Sequence, residues 1–157
     1  MSSMSVCLWF DSQAEAAADF YVDVFPNARI LDVARYGDGA PQPSGSVMTV
    51  RLVVHGLELT LLNGGPVYQI SPAISLVTTC DTQSEVDRLW ERLTDGGQEV
   101  QCGWLVDRFG VSWQIIPAGL GELLGSTDRA AAQRATEAML KMVKLDIAAL
   151  RRAYKGE

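Results

Sequence analysis

The feature that most constrains this chain is an internal repeat. Phe10-Asp11-Ser12-Gln13-Ala14-Glu15 returns as Cys80-Asp81-Thr82-Gln83-Ser84-Glu85, and recurrence with matched order of elements marks a duplicated unit. Each copy follows a short apolar run. Each also carries a Ser/Thr-x-x-Glu box, in which hydroxyl and carboxylate satisfy orphan backbone donors at a helix start. Each copy therefore reads as strand, tight turn and capped helix. In the first helix Ala16, Phe20 and Val24 recur at four-residue steps, with Ala17 and Tyr21 beside them; in the second Val86, Leu89, Trp90 and Leu93 make one apolar stripe. Phe20 aligns with Trp90, so both rings are expected to face the core. Pro26-Asn27 and Asp95-Gly96-Gly97 end the two helices.

Strands follow each helix. Residues 30–36 and 46–54 are candidates in the first half, separated by a loop rich in Gly and Pro. His55-Gly56 then turns into residues 57–62. In the second half, residues 99–105 and 111–116 are joined by Asp107-Arg108-Phe109-Gly110. The closing strands also align, Gly56-Leu57-Glu58-Leu59-Thr60-Leu61-Leu62 against Gly110-Val111-Ser112-Trp113-Gln114-Ile115-Ile116. The expected organisation over 1–157 is one α+β domain of tandem βαβββ modules. Module one spans 4–63, a linker 64–72, module two 73–117 and a helical tail 119–155. In the tail Met139, Met142, Val143, Ile147, Leu150 and Tyr154 are read as one face of a long C-terminal helix. This helix starts near Asp128 with Thr127 as its cap and pairs Glu137 with Lys141. Its ~25 residues would run about 38 Å, more than a small domain needs, so its stripe is expected to meet a partner subunit.

Composition narrows the function classes. A net charge of −6 and a pI near 4.7 argue against a nucleic-acid partner. The basic residues Lys141, Lys144, Arg151, Arg152 and Lys155 are diluted by Glu137 and Asp146 and read as a solvated helix face. No run approaches the ~20 apolar residues of a membrane span, and residues 1–10 do not resemble a signal peptide. Cys7, Cys80 and Cys102 share no CxxC spacing and suggest a reducing cytoplasm rather than a disulfide framework.

Strand, helix and three strands, given twice, resemble the vicinal-oxygen-chelate superfamily of glyoxalase I, extradiol dioxygenases and fosfomycin-resistance proteins. The resemblance sharpens towards its PhnB-like branch over several stretches. They are Cys7-Leu8-Trp9-Phe10-Asp11-Ser12-Gln13-Ala14-Glu15-Ala16-Ala17, Phe20-Tyr21, Leu62-Asn63-Gly64-Gly65-Pro66, Cys102-Gly103-Trp104-Leu105 and Phe109-Gly110-Val111-Ser112-Trp113-Gln114-Ile115-Ile116-Pro117. Glu137-Ala138-Met139-Leu140-Lys141-Met142 in the tail is similar too. That branch carries the label 3-demethylubiquinone-9 3-methyltransferase domain. The resemblance implies a curved eight-stranded pair of sheets, a cleft on the concave face and a homodimer, often with exchanged elements.

It also implies a divalent cation held by His, Glu or Gln on the first and last strands of each module. The last-strand positions here are Thr60 and Gln114. The first-strand positions are read as Met4 and Ile74, with Val6 and Leu76 on the same faces. Such a set lacks the anionic oxygens or imidazoles that a hard cation needs, so no metal and no cofactor are expected. His55 precedes a turn and reads as a surface residue. Asp11, Asp81, Glu15 and Glu85 read as turn and cap residues, and Glu58 as pointing away from Thr60. Gly64-Gly65 and Gly96-Gly97 do not open a helix after a strand, as an S-adenosylmethionine site usually requires. Among the large rings of the strands (Trp9, Trp104, Trp113, Tyr68, Phe109), Trp104 is the best candidate for a cleft. With Thr60, Asn63, Cys102 and Gln114 it would make an apolar pocket with few polar anchors. The expected function is binding of a small molecule without a metal. The alternative is a metal-independent enzyme of lyase or isomerase type, or the labelled methyltransferase.

Overall fold

A computed structural model describes residues 2–157. The chain divides after Ile70 into two compact units. In the first, β1 (Val6–Phe10) leads into α1 (Ala14–Val24), followed by β2 (Arg29–Arg35), β3 (Val47–Val54) and β4 (Leu57–Asn63). The sheet order is β1-β4-β3-β2, with β1 parallel to β4 and the other pairs antiparallel. The β3–β4 hairpin closes through His55 (φ 48°) and Gly56 (φ 82°). Two successive positive φ angles match the right-handed twist of the flanking strands. His55 is exposed, its ring edge-on to Phe25 at 5.2 Å.

Helix α1 packs on β3 and β4 through Ala14, Ala17, Ala18, Tyr21 and Val24. The three alanines let the helix backbone lie close to Val50, Leu52, Leu59 and Leu61, all buried. Each buried leucine contributes roughly 2 kcal/mol of apolar burial. The buried ring is thus Tyr21, while Phe20, expected to face the core, is half-buried and tilted against it. Of the expected face, Ala17, Tyr21 and Val24 are buried, whereas Ala16 is exposed and Phe20 lies at its edge.

The second unit repeats the order with β5 (Leu76–Cys80), α2 (Gln83–Thr94), β6 (Gln98–Glu99), β7 (Trp104–Val106) and β8 (Ser112–Pro117), in sheet order β5-β8-β7-β6. Val86, Leu89, Trp90 and Leu93 are buried as their spacing predicts. Trp90 Nε1 donates to Glu99 Oε1 at 2.6 Å. The strand expected over 99–105 is two short strands, because Cys102 (φ 59°) and Gly103 (φ 83°) form a turn between them. A side chain at Gly103 would stand 2.9 Å from Leu145 Cδ1 and 3.0 Å from the Ile115 carbonyl, so the close approach of the tail requires glycine there.

The tail is helical but not one helix. It forms α3 (Leu120–Leu124), α4 (Arg129–Met139) and α5 (Ile147–Lys155). The break falls where residues 140–146 turn back. The Met142 and Val143 carbonyls accept from the Cys102 and Gly103 amides at 2.9 and 2.8 Å. Gln83 Nε2 donates to the Leu145 carbonyl at 2.9 Å, and its Oε1 accepts from the Ile147 amide at 3.0 Å. Asp146 caps α5 by accepting from Ala149 N at 2.9 Å. Helices α4 and α5 pack on each other, and Arg134 donates to the Ala153 and Tyr154 carbonyls. Leu120, Leu145 and Leu150 make a small core with Met139 and Met142 against it. Part of the expected stripe is therefore covered within the chain, Leu150 buried with Met139 and Met142 against it, while Val143 stays exposed; the single helix of about 38 Å is not formed. Asp128, not Thr127, caps α4. Glu137 accepts from Gln133 rather than pairing with Lys141.

Candidate functional site

The first sheet turns one face to α1; the other carries Cys7, Trp9, Arg51, Glu58, Thr60 and Leu62 by strand alternation. Thr60 lies between Cys7 on β1 and Arg51 on β3. This fixes the register: the first-strand neighbour of Thr60 is Cys7, not Met4 or Val6. Glu58 stands two residues from Thr60 and shares its face, contrary to the expectation that it points away. Its carboxylate accepts from Arg51 Nη2 at 2.7 Å, and Asp32 takes a second contact from the same guanidinium. The hydrogen bond to Glu58 and the charge of Asp32 hold the Arg51 pKa above its ordinary value. Burial pushes the Cys7 thiol up, so it is protonated at neutral pH and a poor nucleophile or ligand.

In the second sheet Val77, Gln114 and Trp104 form one row across β5, β8 and β7. The strands thus bring together Trp104 and Gln114, two of the expected pocket residues. Both are half-buried. Gln114 Nε2 donates to Ser75 Oγ at 2.9 Å, which orients the amide, and its oxygen has no hydrogen-bond partner among the described residues. Ser112 shares this face, and its buried hydroxyl has no hydrogen-bond partner among the described residues. The first-strand neighbour of Gln114 is Val77, not Ile74 or Leu76.

The remaining expected site residues are placed differently. Asn63 is buried, with Oδ1 accepting from the Ala14 amide at 2.8 Å and Nδ2 donating to the Val47 carbonyl at 3.2 Å. Its backbone carbonyl accepts from Tyr36 Oη at 2.6 Å. Asn63 therefore caps α1, a role without local signal because its partner lies 49 residues away. Cys102 sits in the turn that receives the tail, its thiol 3.6 Å from the Met139 carbonyl. Trp113 is buried and donates to Asp107 Oδ2 at 2.9 Å. The Asp107 carboxylate also accepts from the Phe109 and Val111 amides, which makes it the keystone of its hairpin. That role was not read from the sequence, although an Asp opening a tight turn is its usual signal. Trp9 donates from Nε1 to the Gly65 carbonyl at 2.8 Å and meets Tyr68 edge-on at 4.9 Å. A side chain at Gly64 would collide with Trp9 at 2.2 Å, so this glycine belongs to the packing of the first unit rather than to a free linker.

Neither half offers a fit for a divalent metal. The rows through Thr60 and Gln114 supply one protonated thiol, one hydroxyl and one amide, and the one carboxylate of the Thr60 face, Glu58, is paired with the Arg51 guanidinium. Hard cations require several anionic oxygens or imidazoles. Among the described residues no three His, Cys, Asp or Glu side chains converge on one point. S-adenosylmethionine fits no better by the usual fold rule. Gly64-Gly65 follows β4 and packs on Trp9, while Gly96-Gly97 follows α2, where a side chain at Gly97 would meet the Val106 carbonyl at 2.2 Å. Among the described residues no helix is long and apolar enough to cross a membrane.

The family model described as 3-demethylubiquinone-9 3-methyltransferase matches residues 2–116. A putative 3-demethylubiquinone-9 3-methyltransferase, PhnB protein, from Bacillus cereus is 29% identical with a TM-score of 0.68; the match covers 74% of this chain and 100% of that one. A Pseudomonas aeruginosa protein is 24% identical with a TM-score of 0.62, covering 74% and 98%. The fosfomycin resistance protein FosX of Listeria monocytogenes is 14% identical with a TM-score of 0.56, covering 77% and 94%, a likeness of fold alone. No curated protein matches the chain. A family match over most of the chain and two sheets of matching fold lead to one conclusion: the chain belongs to the 3-demethylubiquinone-9 3-methyltransferase family, the PhnB-like branch of the vicinal-oxygen-chelate superfamily.

Proposed function

We propose that the protein binds a small organic molecule on the sheet face of Trp104 and Gln114 and does so without a metal. The observation that carries this reading is the row Val77–Gln114–Trp104. It sets an apolar side chain, an oriented amide and an indole side by side, the mix of apolar walls and few polar anchors that ligand sites use. The unpartnered Ser112 hydroxyl on the same face supports it, since a buried polar group without a partner is costly. A planar ligand with a hydrogen-bond donor on one edge would stack on Trp104 and reach the free Gln114 oxygen. In the first unit, Thr60 beside Arg51 and Cys7 offers a second, polar face for the same kind of ligand.

A homodimer in a reducing cytoplasm is part of this proposal. Edge strand β2 supports the dimer by leaving Ile30, Leu31 and Val33 exposed, and the three free cysteines support the compartment. Sedimentation checks the oligomeric state. A thermal-shift screen of aromatic metabolites against the parent and Gln114→Ala tests binding. At least one ligand should raise Tm in the parent and lose most of that shift in the variant. Equal shifts in both would sink the assignment, and stabilisation by S-adenosylmethionine would favour the methyltransferase reading instead.

A further inference from the structure

The open sheet faces of the two units differ in charge, and the difference sets what each can take. In the first unit Asp32, Arg51 and Glu58 stand on the face of Thr60. In the second, strand alternation places Gln98, Trp104, Val106, Ser112, Gln114 and Val77 together. The strand residues of this face include no ionisable side chain. An ion brought onto neutral side chains loses hydration without gaining a counter-charge. The face therefore suits an uncharged ligand.

One end of this face is closed. Ile116, two residues beyond Gln114 on β8, packs on the Leu120, Leu145 and Leu150 cluster of the tail. The opening runs the other way along β8, towards Ser112. Ser112 is 1% exposed, and its hydroxyl has no hydrogen-bond partner among the described residues. Val106 lies across the ladder from it and Gln114 two residues on, both half-buried. An entering group parts these two neighbours to reach it. A ligand atom that bonds such a buried, unpaired hydroxyl gains more than it would at an exposed one.

Gln114 and Ser112 are complementary in kind. Gln114 Nε2 is engaged by Ser75 Oγ, so the amide oxygen is left to accept, while the Ser112 hydroxyl can donate. Residues two apart on a strand are separated by ~7 Å. One amide edge bridges that span with a hydrogen bond of ~2.9 Å at each end. In a cyclic amide the N–H and C=O lie side by side on one edge, and a planar ring can stack on Trp104. We propose that this face selects an uncharged cyclic amide, whose N–H donates to Gln114 Oε1 and whose carbonyl accepts from Ser112 Oγ. The assignment rests on the ligand face proposed above and names its ligand class.

The test is calorimetric titration of the full chain with 2-quinolinone, a neutral bicyclic amide, beside N-methyl-2-quinolinone and quinoline-2-carboxylate. Saturable one-to-one binding of 2-quinolinone is expected. It should be about tenfold weaker for the N-methyl compound, which lacks the donor, and absent for the carboxylate. Ser112→Ala should weaken 2-quinolinone about tenfold. Its ligand-free Tm should stay at or above the parent's, because the change removes an unpaired group rather than a bond. The amide assignment is overturned by equal affinity for the N-methyl compound, by undiminished affinity or a lowered ligand-free Tm in Ser112→Ala, by tighter binding of the carboxylate, or by no saturable binding. The ligand face itself fails separately, if Gln114→Ala leaves the binding of every aromatic ligand unchanged.

Discussion

The two modules start their helices with the same sequence signal and satisfy them in different ways. In the second, Thr82 caps α2 from within the box. In the first, the box stands idle and Asn63 reaches α1 from the end of β4. The difference lies in the parallel ladder. Phe10 pairs with Asn63 and Cys80 with Pro117, and the next amide bonds back alike in both, Gly64 to Phe10 and Ala118 to Cys80. Proline offers no side-chain acceptor, so module two must cap its helix locally. An asparagine at the same ladder position makes the local cap redundant and releases Ser12 and Glu15. One substitution between repeats thus relocates a cap and frees a pair of polar side chains. Gln13 and Gln83 diverge similarly: Gln83 clamps the tail with two bonds, while Gln13 is exposed and takes no cap bond.

These contrasts can be broken one residue at a time. Asn63→Ala should cost the most, about 3 kcal/mol, because it removes the cap and strands two buried backbone groups; urea unfolding measures it. Gln83→Ala should cost about 2 kcal/mol for two half-buried hydrogen bonds, with faster amide exchange in α5, whereas Gln13→Ala should stay within about 0.5 kcal/mol. Burial pushes the Cys80 thiol from 9.0 up to about 12, while Phe10 in its place in module one does not titrate. The folded state keeps the proton that the unfolded chain releases. Stability is therefore complete below pH 9 and declines as pH rises towards 12, by about 1 kcal/mol at pH 10. Cys80→Ala should flatten that slope in a series of urea midpoints. Thr82→Ala should cost about 1 kcal/mol and Ser12→Ala less than about 0.5 kcal/mol. Equal losses for Thr82 and Ser12 would contradict the division of labour between the caps.

Much of the fold is legible in the sequence because it is local. The stripe of α2, the Thr82–Glu85 box and the His55-Gly56 turn are each written within a few residues. The pairing of Trp104 with Gln114 follows from a short hairpin. What the sequence hides depends on distant partners. Asn63 looks like a strand end until Ala14 is beside it. Residues 140–146 continue an apolar series, yet their carbonyls are drawn to Cys102 and Gly103, and the Asp146 cap is buried in that series. The neighbour of Thr60 depends on where β1 slides along β4, and a parallel ladder carries no turn to fix its register.

The central claim is that Trp104 and Gln114 form a ligand face that works without a divalent metal. It is tested most directly by dialysing the chain against Ni²⁺, Zn²⁺ and Mn²⁺ and measuring bound metal together with ligand affinity. The expected result is substoichiometric metal and ligand binding unchanged by chelator. One tightly held ion per chain, with ligand binding lost when it is stripped, would contradict the claim.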